Sequence, residues 1–172
     1  MLAYEGTTHV GQLQFRPYVH RTNSPNGLHH PLYWMDFEDY APQFPERTLA
    51  IFCYHVGQLD NTAARDSRYF GRGLGTELLG EVLTWAASAG FEAVVAKGCP
   101  NFWPIIRFMG GMPTEVYEAR GFTVAATYED RNLRNTVENM LKEPTGEDLR
   151  KLLKGRNPDD AARVSICVKT LA

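Results

Sequence analysis

The stretch RYFGRGLGTELL, Arg68 to Leu79, puts glycine at 71, 73 and 75 directly ahead of an apolar helical pattern. Leu74, Leu78, Leu79, Val82, Leu83 and Ala86 recur at helical spacing up to Gly90, a residue suited to ending a helix. Before the loop, RTLAIFCYHVGQL gives an apolar, β-favouring run over Thr48–Leu59; after the helix, FEAVVAKGC reads as a buried strand. Strand, glycine loop, helix and strand make a βαβ unit, which predicts a parallel pair with a right-handed crossover. Glycine loses the most backbone freedom on folding, so three within five residues mark a backbone that something approaches closely. A helix start carries unpaired N–H groups and the positive end of the helix dipole, and without side chains around it becomes a cradle for an anion, typically phosphate.

Spacing separates the phosphate loops. A Walker loop has Lys and then Ser or Thr after its last glycine, whereas Thr76 and Glu77 follow Gly75. The dinucleotide fingerprint GxGxxG is not met, and the next strand ends in Lys97 rather than in an acidic residue.

With 172 residues, 44% of them apolar, the chain suffices for one core, and we expect a single domain over 1–172. The net charge of −2, without runs of like charge, argues against nucleic acid as a partner. Cys53, Cys99 and Cys167 form no CxxC pair and read as reduced core thiols. No basic leader or long apolar segment is present, which predicts a cytoplasmic protein with no membrane partner.

The remaining chain reads as follows. MLAYEG and HVGQLQFRP predict a hairpin turning at Glu5–Thr8, with Leu13 and Phe15 on one face. Residues 18–46, with four prolines and the pair His29–His30, form an irregular insertion. PNFWPIIRFMGGM is expected to be a loop, leading to a short helix that starts at Pro113, runs through TEVYEAR and is capped by Gly121. FTVAATY is a strand. Asp130 caps a helix carrying Leu133, Val137 and Leu141, and Thr145 with Asp148 forms a capping box for the next; together these make a helical insertion over 130–160. ARVSICVKTL closes the chain as a strand with Val164, Ile166 and Val168 on one side.

YFGRGLGTELL resembles the acyl-CoA-binding loop of the GCN5-related N-acetyltransferases, and VYEARGF, Val116 to Phe122, is similar to that family's Tyr-Glu-x-x-Gly-Phe motif. The resemblance covers Thr48 to Tyr128 well. It implies an α/β (α+β) fold: a mixed, mostly antiparallel central sheet with a parallel, splayed strand pair around the glycine loop and helix, flanked by helices. It further implies transfer of an acetyl or acyl group from acetyl-CoA to an amine of a small-molecule or peptide acceptor by direct attack, with no acyl-enzyme and no metal. The alternative is an inactive acyl-CoA-binding sensor or scaffold.

The family pattern places pyrophosphate on the backbone of Phe70, Gly71, Arg72, Gly73, Leu74, Gly75 and Thr76, the pantetheine arm along Tyr54 to Val56, and a further cofactor contact at Asn101. Tyr117 matches the tyrosine that many members place near the thioester sulfur, and a phenol can protonate a departing thiolate. Its bland reading is a core tyrosine. His55 on the opened strand is the candidate base, with a structural role as the alternative. Phe70 fills the position where the family has Gln or Arg, so Arg72 or Arg68 is expected to supply the missing charge. The family's first strand and two helices have no counterpart at the start, which leaves the acceptor wall to residues 18–46 or to a homodimer partner. The aromatic and acidic side chains of YWMDFEDY suit a cationic amine or ordinary packing. Two adjacent histidines point apart, so His29, His30 and Asp36 are not expected to hold a metal.

Overall fold

The structure is a computed structural model that describes residues 1–19, 37–59 and 65–171. The readings that fall on His29, His30 and Asp36, and the first half of YWMDFEDY, lie outside the described residues.

β1 (Leu2–Glu5) and β2 (Thr8–Pro17) form the expected hairpin and pair antiparallel, and β2 pairs antiparallel with β3 (Thr48–Val56). β3 runs parallel to β4 (Ala93–Cys99), connected through α1 (Leu74–Ser88). The order across the sheet is β1-β2-β3-β4-β7-β6, with β6 at Thr123–Glu129 and β7 at Arg163–Thr170. A two-residue strand, β5 (Met112–Pro113), pairs with β4 off this path. The mixed, mostly antiparallel sheet around a parallel pair is the fold class read from the sequence.

Two apolar layers sandwich the sheet. On one face, Leu78, Leu79, Val82 and Ala86 of α1 pack on Leu49, Ile51, Tyr54 and Val56 of β3 and on Tyr117 of α3 (Thr114–Glu118). Burying each of the larger aliphatic side chains stabilises the fold by roughly 1.5–3 kcal/mol. On the other face, Val95, Val164 and Ile166 meet Ile105 of α2 (Trp103–Met109), Leu133 and Val137 of α4 (Arg131–Lys142) and Leu149 of α5 (Glu147–Leu152). Phe37 joins this second layer and stacks against Tyr18, while the exposed Tyr40 stacks on Tyr128.

The register of β2 on β3 slips at Phe52: Gln14 faces Cys53 while Phe15 faces Ile51. Successive strand residues alternate faces, so one unpaired residue inverts the alternation beyond it. Leu49 and Ile51 reach the α1 layer before the bulge, and Tyr54 and Val56 reach it after, which sends Cys53 and His55 to the opposite face.

Three readings are corrected. PNFWPIIRFMGGM is not a loop, because α2 forms within it: Pro104 falls in the first helical turn, where its missing N–H costs nothing, and Gly110 ends the helix at φ 60°. The next helix begins at Thr114 with Pro113 as the residue before it, since Pro113 is held in β5. α5 has Gly146 at its N-cap position, one residue later than the Thr145 expected there.

Asp130 caps α4 as expected, accepting from the Asn132 and Leu133 amides at 3.0 Å each. The same carboxylate accepts from Lys97 Nζ at 2.8 Å, with both side chains less than a tenth exposed. Burial pushes the Asp130 pKa up, but the Lys97 charge and the hydrogen bonds outweigh it and hold it below the ordinary value. A carboxyl with a depressed folded pKa contributes stability above its unfolded pKa and loses it as pH falls through the folded one. Asp130→Ala, which takes the carboxylate from a buried lysine, should cost about 3–5 kcal/mol in urea unfolding at neutral pH. The gap to wild type should narrow below about pH 4, where carboxylates begin to protonate; a gap independent of pH would contradict the pairing.

Candidate functional site

β3 and β4 pair only from Thr48–Ile51 to Ala93–Ala96 and then part. Beyond that point the strand alternation directs the Tyr54 and Val56 backbone groups away from β2 and into the gap, since Gly57 N–H on β2's side donates to Val10 C=O. A cavity of about 210 Å³ opens here. Its floor is Tyr54, Val56 and the α1 start, and its far wall is α2 and the Gly110–Pro113 segment.

The glycine loop meets the cavity with Phe70, Gly71, Gly73, Leu74, Gly75 and Thr76. Gly71 and Gly73 hold φ at +75° and +88°, where a Cβ is strained by roughly 1–2 kcal/mol. Around either one, a Cβ would meet nothing within 4 Å, so the loop's outer surface is open. No side chain caps α1; the amides of Thr76 and Glu77 turn inward to Gly73 C=O at 2.8 and 3.0 Å. Among the described residues, the Leu74 and Gly75 amides take no backbone acceptor, as is general for the first N–H groups of a helix.

The gap is partly filled by the chain itself. Gly110 C=O accepts from the Tyr54 amide at 2.7 Å, and β5 pairs in parallel with Gly98 and Cys99 of β4. Gly111 has no room for a side chain, since a Cβ would lie 2.4 Å from Cys99 Sγ. The amide of Tyr54, expected on the pantetheine path, therefore already has a backbone partner.

Tyr117 is 1% exposed and does not line the cavity. Its hydroxyl donates to Tyr54 Oη at 3.3 Å, and Tyr54 is the member of the pair that lines the cavity. Burial, followed by the neighbouring Tyr54, pushes the Tyr117 phenol well above its ordinary value. Burial also raises Tyr54, while the bond from Tyr117 opposes the rise. Both phenols stay protonated across the physiological range.

His55, half-buried on the opposite face of β3, does not line the cavity, and its Nδ1 lies 3.1 Å from Gln58 Oε1. That oxygen also accepts from Arg65 Nη1 at 2.6 Å. A guanidinium only donates, so the Gln58 atom is an acceptor and His55 Nδ1 must carry a hydrogen toward it. Neutral His55 is thereby set with Nε2 as the proton acceptor.

Of the charges expected at the loop, Arg68 is engaged with Asp66 (Nη2 to Oδ2, 2.7 Å), and Arg72 is exposed and outside the cavity. Asn101 is likewise exposed and does not line it. The cavity's cations are instead Arg65 and Arg107, which sequence reasoning missed along with Trp103, whose ring packs on Phe70 at 5.1 Å. The only signal for α2 was its apolar run between two proline-and-glycine boundaries. Burial, and next the charge of Arg107, lower the Arg65 pKa.

The three cysteines are free and buried, and burial raises their thiols to about 11 for Cys53 and about 12 for Cys99 and Cys167. Thiols held so high are poor nucleophiles at neutral pH. Among the described residues, no group of three metal-ligating side chains occurs, and no helix is long and apolar enough to cross a membrane.

The sequence matches no family model and no curated protein. Among the solved structures that match are two that cover 99% of this chain. One is an acetyltransferase assigned to the GNAT family from Desulfovibrio desulfuricans, with 17% identity, a TM-score of 0.49 and 67% of that chain covered. The other is an acetyltransferase of the GNAT family from Streptococcus pneumoniae, with 14% identity, a TM-score of 0.48 and 65% covered. The chain is thus similar to two GNAT-family acetyltransferases and spans about two thirds of the length of each.

Proposed function

We propose that the protein transfers an acetyl or acyl group from acetyl-CoA to an amine by direct attack. The observation that carries this reading is the uncapped, glycine-built start of α1 at the mouth of a gap between two parallel strands. A phosphate there gains the helix-start amides and the helix dipole.

The residues present suit the cofactor. The Leu74 and Gly75 amides and the open faces of Gly71 and Gly73 would hold pyrophosphate, and Val56, with its backbone turned into the gap, would hold the pantetheine arm beyond the Tyr54–Gly110 bond. When bound, acetyl-CoA supplies an activated acyl carbon and a thiolate leaving group. The chain supplies the proton traffic: Tyr117 donates to Tyr54, whose own hydroxyl hydrogen stays available to a departing thiolate. His55 Nε2, reaching the amine through water, is the candidate base. The thiols, raised by burial, fit a route without an acyl-cysteine.

A second reading, an acyl-CoA sensor without transfer, draws on Gly110 holding the Tyr54 amide and on the burial of Tyr117. Thiol release separates the two, since both bind acyl-CoA.

Acetyl-CoA at a hundred times its Kd should stabilise the fold by about 2.7 kcal/mol, a rise of about 5–11 °C in Tm. No shift at any concentration would remove both readings. Tyr54→Phe and Tyr117→Phe should each lower turnover at least about tenfold while leaving the acetyl-CoA Kd nearly unchanged. Binding without thiol release for any amine would select the sensor. Gly73→Ala, which strains a φ of +88° at the cradle, should weaken acetyl-CoA binding about tenfold, read by calorimetry.

A further inference from the structure

Arg65, one of the two arginines in the cavity wall, enters from a different side than the phosphate cradle. A Cβ at Gly75, in the cradle, would lie 3.7 Å from Tyr54 Cδ1 and from Val56 Cγ2, the side chains that face α1. Arg65 instead reaches Gln58, which holds His55, and acts electrostatically on Cys53; His55 and Cys53 point to the opposite face of β3. Arg107, two residues past the buried Ile105 on α2 and so turned away from that layer, lines the same cavity.

Arg65 has no carboxylate partner among the described residues; its one hydrogen bond goes to the neutral Gln58 oxygen. Half-buried and sharing the cavity wall with Arg107, Arg65 would be stabilised by an anion held in the cavity, where both guanidinium groups can meet it. An arginine offers a planar fork of donors matched to a carboxylate or a phosphate, and lines up two parallel hydrogen bonds with either. The cavity is otherwise apolar, walled by Tyr54, Val56, Trp103, Ile106 and Met112. A small molecule there would be fixed at one end by charge and along its body by apolar contact.

We propose that Arg65 and Arg107 form the anion subsite for the acceptor, so that the amine acylated by this protein belongs to a molecule that also carries a carboxylate or a phosphate. The inference rests on the transfer reading and narrows its acceptor class. It departs from the aromatic, acidic site for a cationic amine suggested by YWMDFEDY, in which Phe37 is buried in the core layer and Tyr40 stacks on Tyr128. It also couples recognition to proton transfer, because the Arg65 side chain that meets the anion fixes Gln58, and Gln58 sets the tautomer of His55. The acceptor's amine loses a proton and its nitrogen bonds the acyl carbon, while the carbon–sulfur bond breaks and the thiolate takes a proton.

The test is acetyl-CoA-dependent thiol release with matched acceptors that differ in the anion: β-alanine against β-alaninamide for a carboxylate, and 2-aminoethyl phosphate against 2-aminoethanol for a phosphate. For wild type, kcat/KM should favour one charged member over its neutral partner at least about tenfold. In Arg65→Gln and Arg107→Gln that ratio should fall toward one, and Arg65→Lys should retain part of it. Taking the ratio within each variant cancels any disturbance of His55, which both acceptors share. Equal kcat/KM for charged and neutral partners in wild type, or a preference that survives both glutamine variants, would overturn the subsite and leave the transfer reading standing. Absence of thiol release with every acceptor would overturn the transfer reading and the subsite together, a result distinct from turnover without preference.

Discussion

The parallel ladder between β3 and β4 spans Thr48–Ile51 and Ala93–Ala96, and the place where it ends governs the rest of the site. Parallel pairing needs a long crossover, and here α1 is that crossover, so its first turn arrives at the C-terminal end of β3, where the strands part. In α/β units the crevice beyond the strand ends is where ligands bind. The bulge at Phe52 acts at the same point: by inverting the alternation it keeps Tyr54 and Val56 in the α1 layer and turns His55 to the other face. One unpaired residue thus assigns the two sides of the gap different chemistry, tyrosines and helix amides on one, histidine and arginine on the other.

The gap is shaped by what stands in it. α2 and β5 place Gly110 against the Tyr54 amide and Gly111 against Cys99, so the space that the diverging strands create is narrowed from the β4 side. The buried tyrosine pair lies on the α1 side, with both phenols raised by burial and one hydroxyl directed at the other. Such a pair can pass a proton from Tyr117 to Tyr54 as the latter gives one up, which keeps the outer phenol from ending as a buried anion. On the opposite face, the chain Arg65, Gln58, His55 leaves the imidazole one acceptor nitrogen.

What could be read in the sequence followed local rules. The glycines before Leu74, the spacing of Leu78, Leu79, Val82 and Ala86, and the Asp130 cap each act within a few residues, and each is found where the pattern put it. α2 was hidden because Pro104 and the pair Gly110–Gly111 look like loop punctuation, though one sits in the first turn and the others end the helix and admit close packing. The start of α5 falls one residue later than expected because a Ser/Thr-x-x-acid pattern says nothing of where the preceding turn releases the chain. The cavity's charge was unreadable for another reason: Arg65 and Arg107 lie 42 positions apart and meet only through the packing of α2 over the end of β3. Tyr117 was found by resemblance, but its bond to Tyr54 depends on the bulge at Phe52, which no local pattern signalled.

The central claim is that the gap between β3 and β4 receives acyl-CoA, with its phosphates on the start of α1. A crystal structure of the protein with CoA tests it most directly. The account predicts pyrophosphate oxygens within hydrogen-bond distance of the Leu74 and Gly75 amides and the pantetheine arm beside Val56, its thiol end toward Tyr54. CoA bound elsewhere on the surface, with the α1 start still facing solvent, would contradict it.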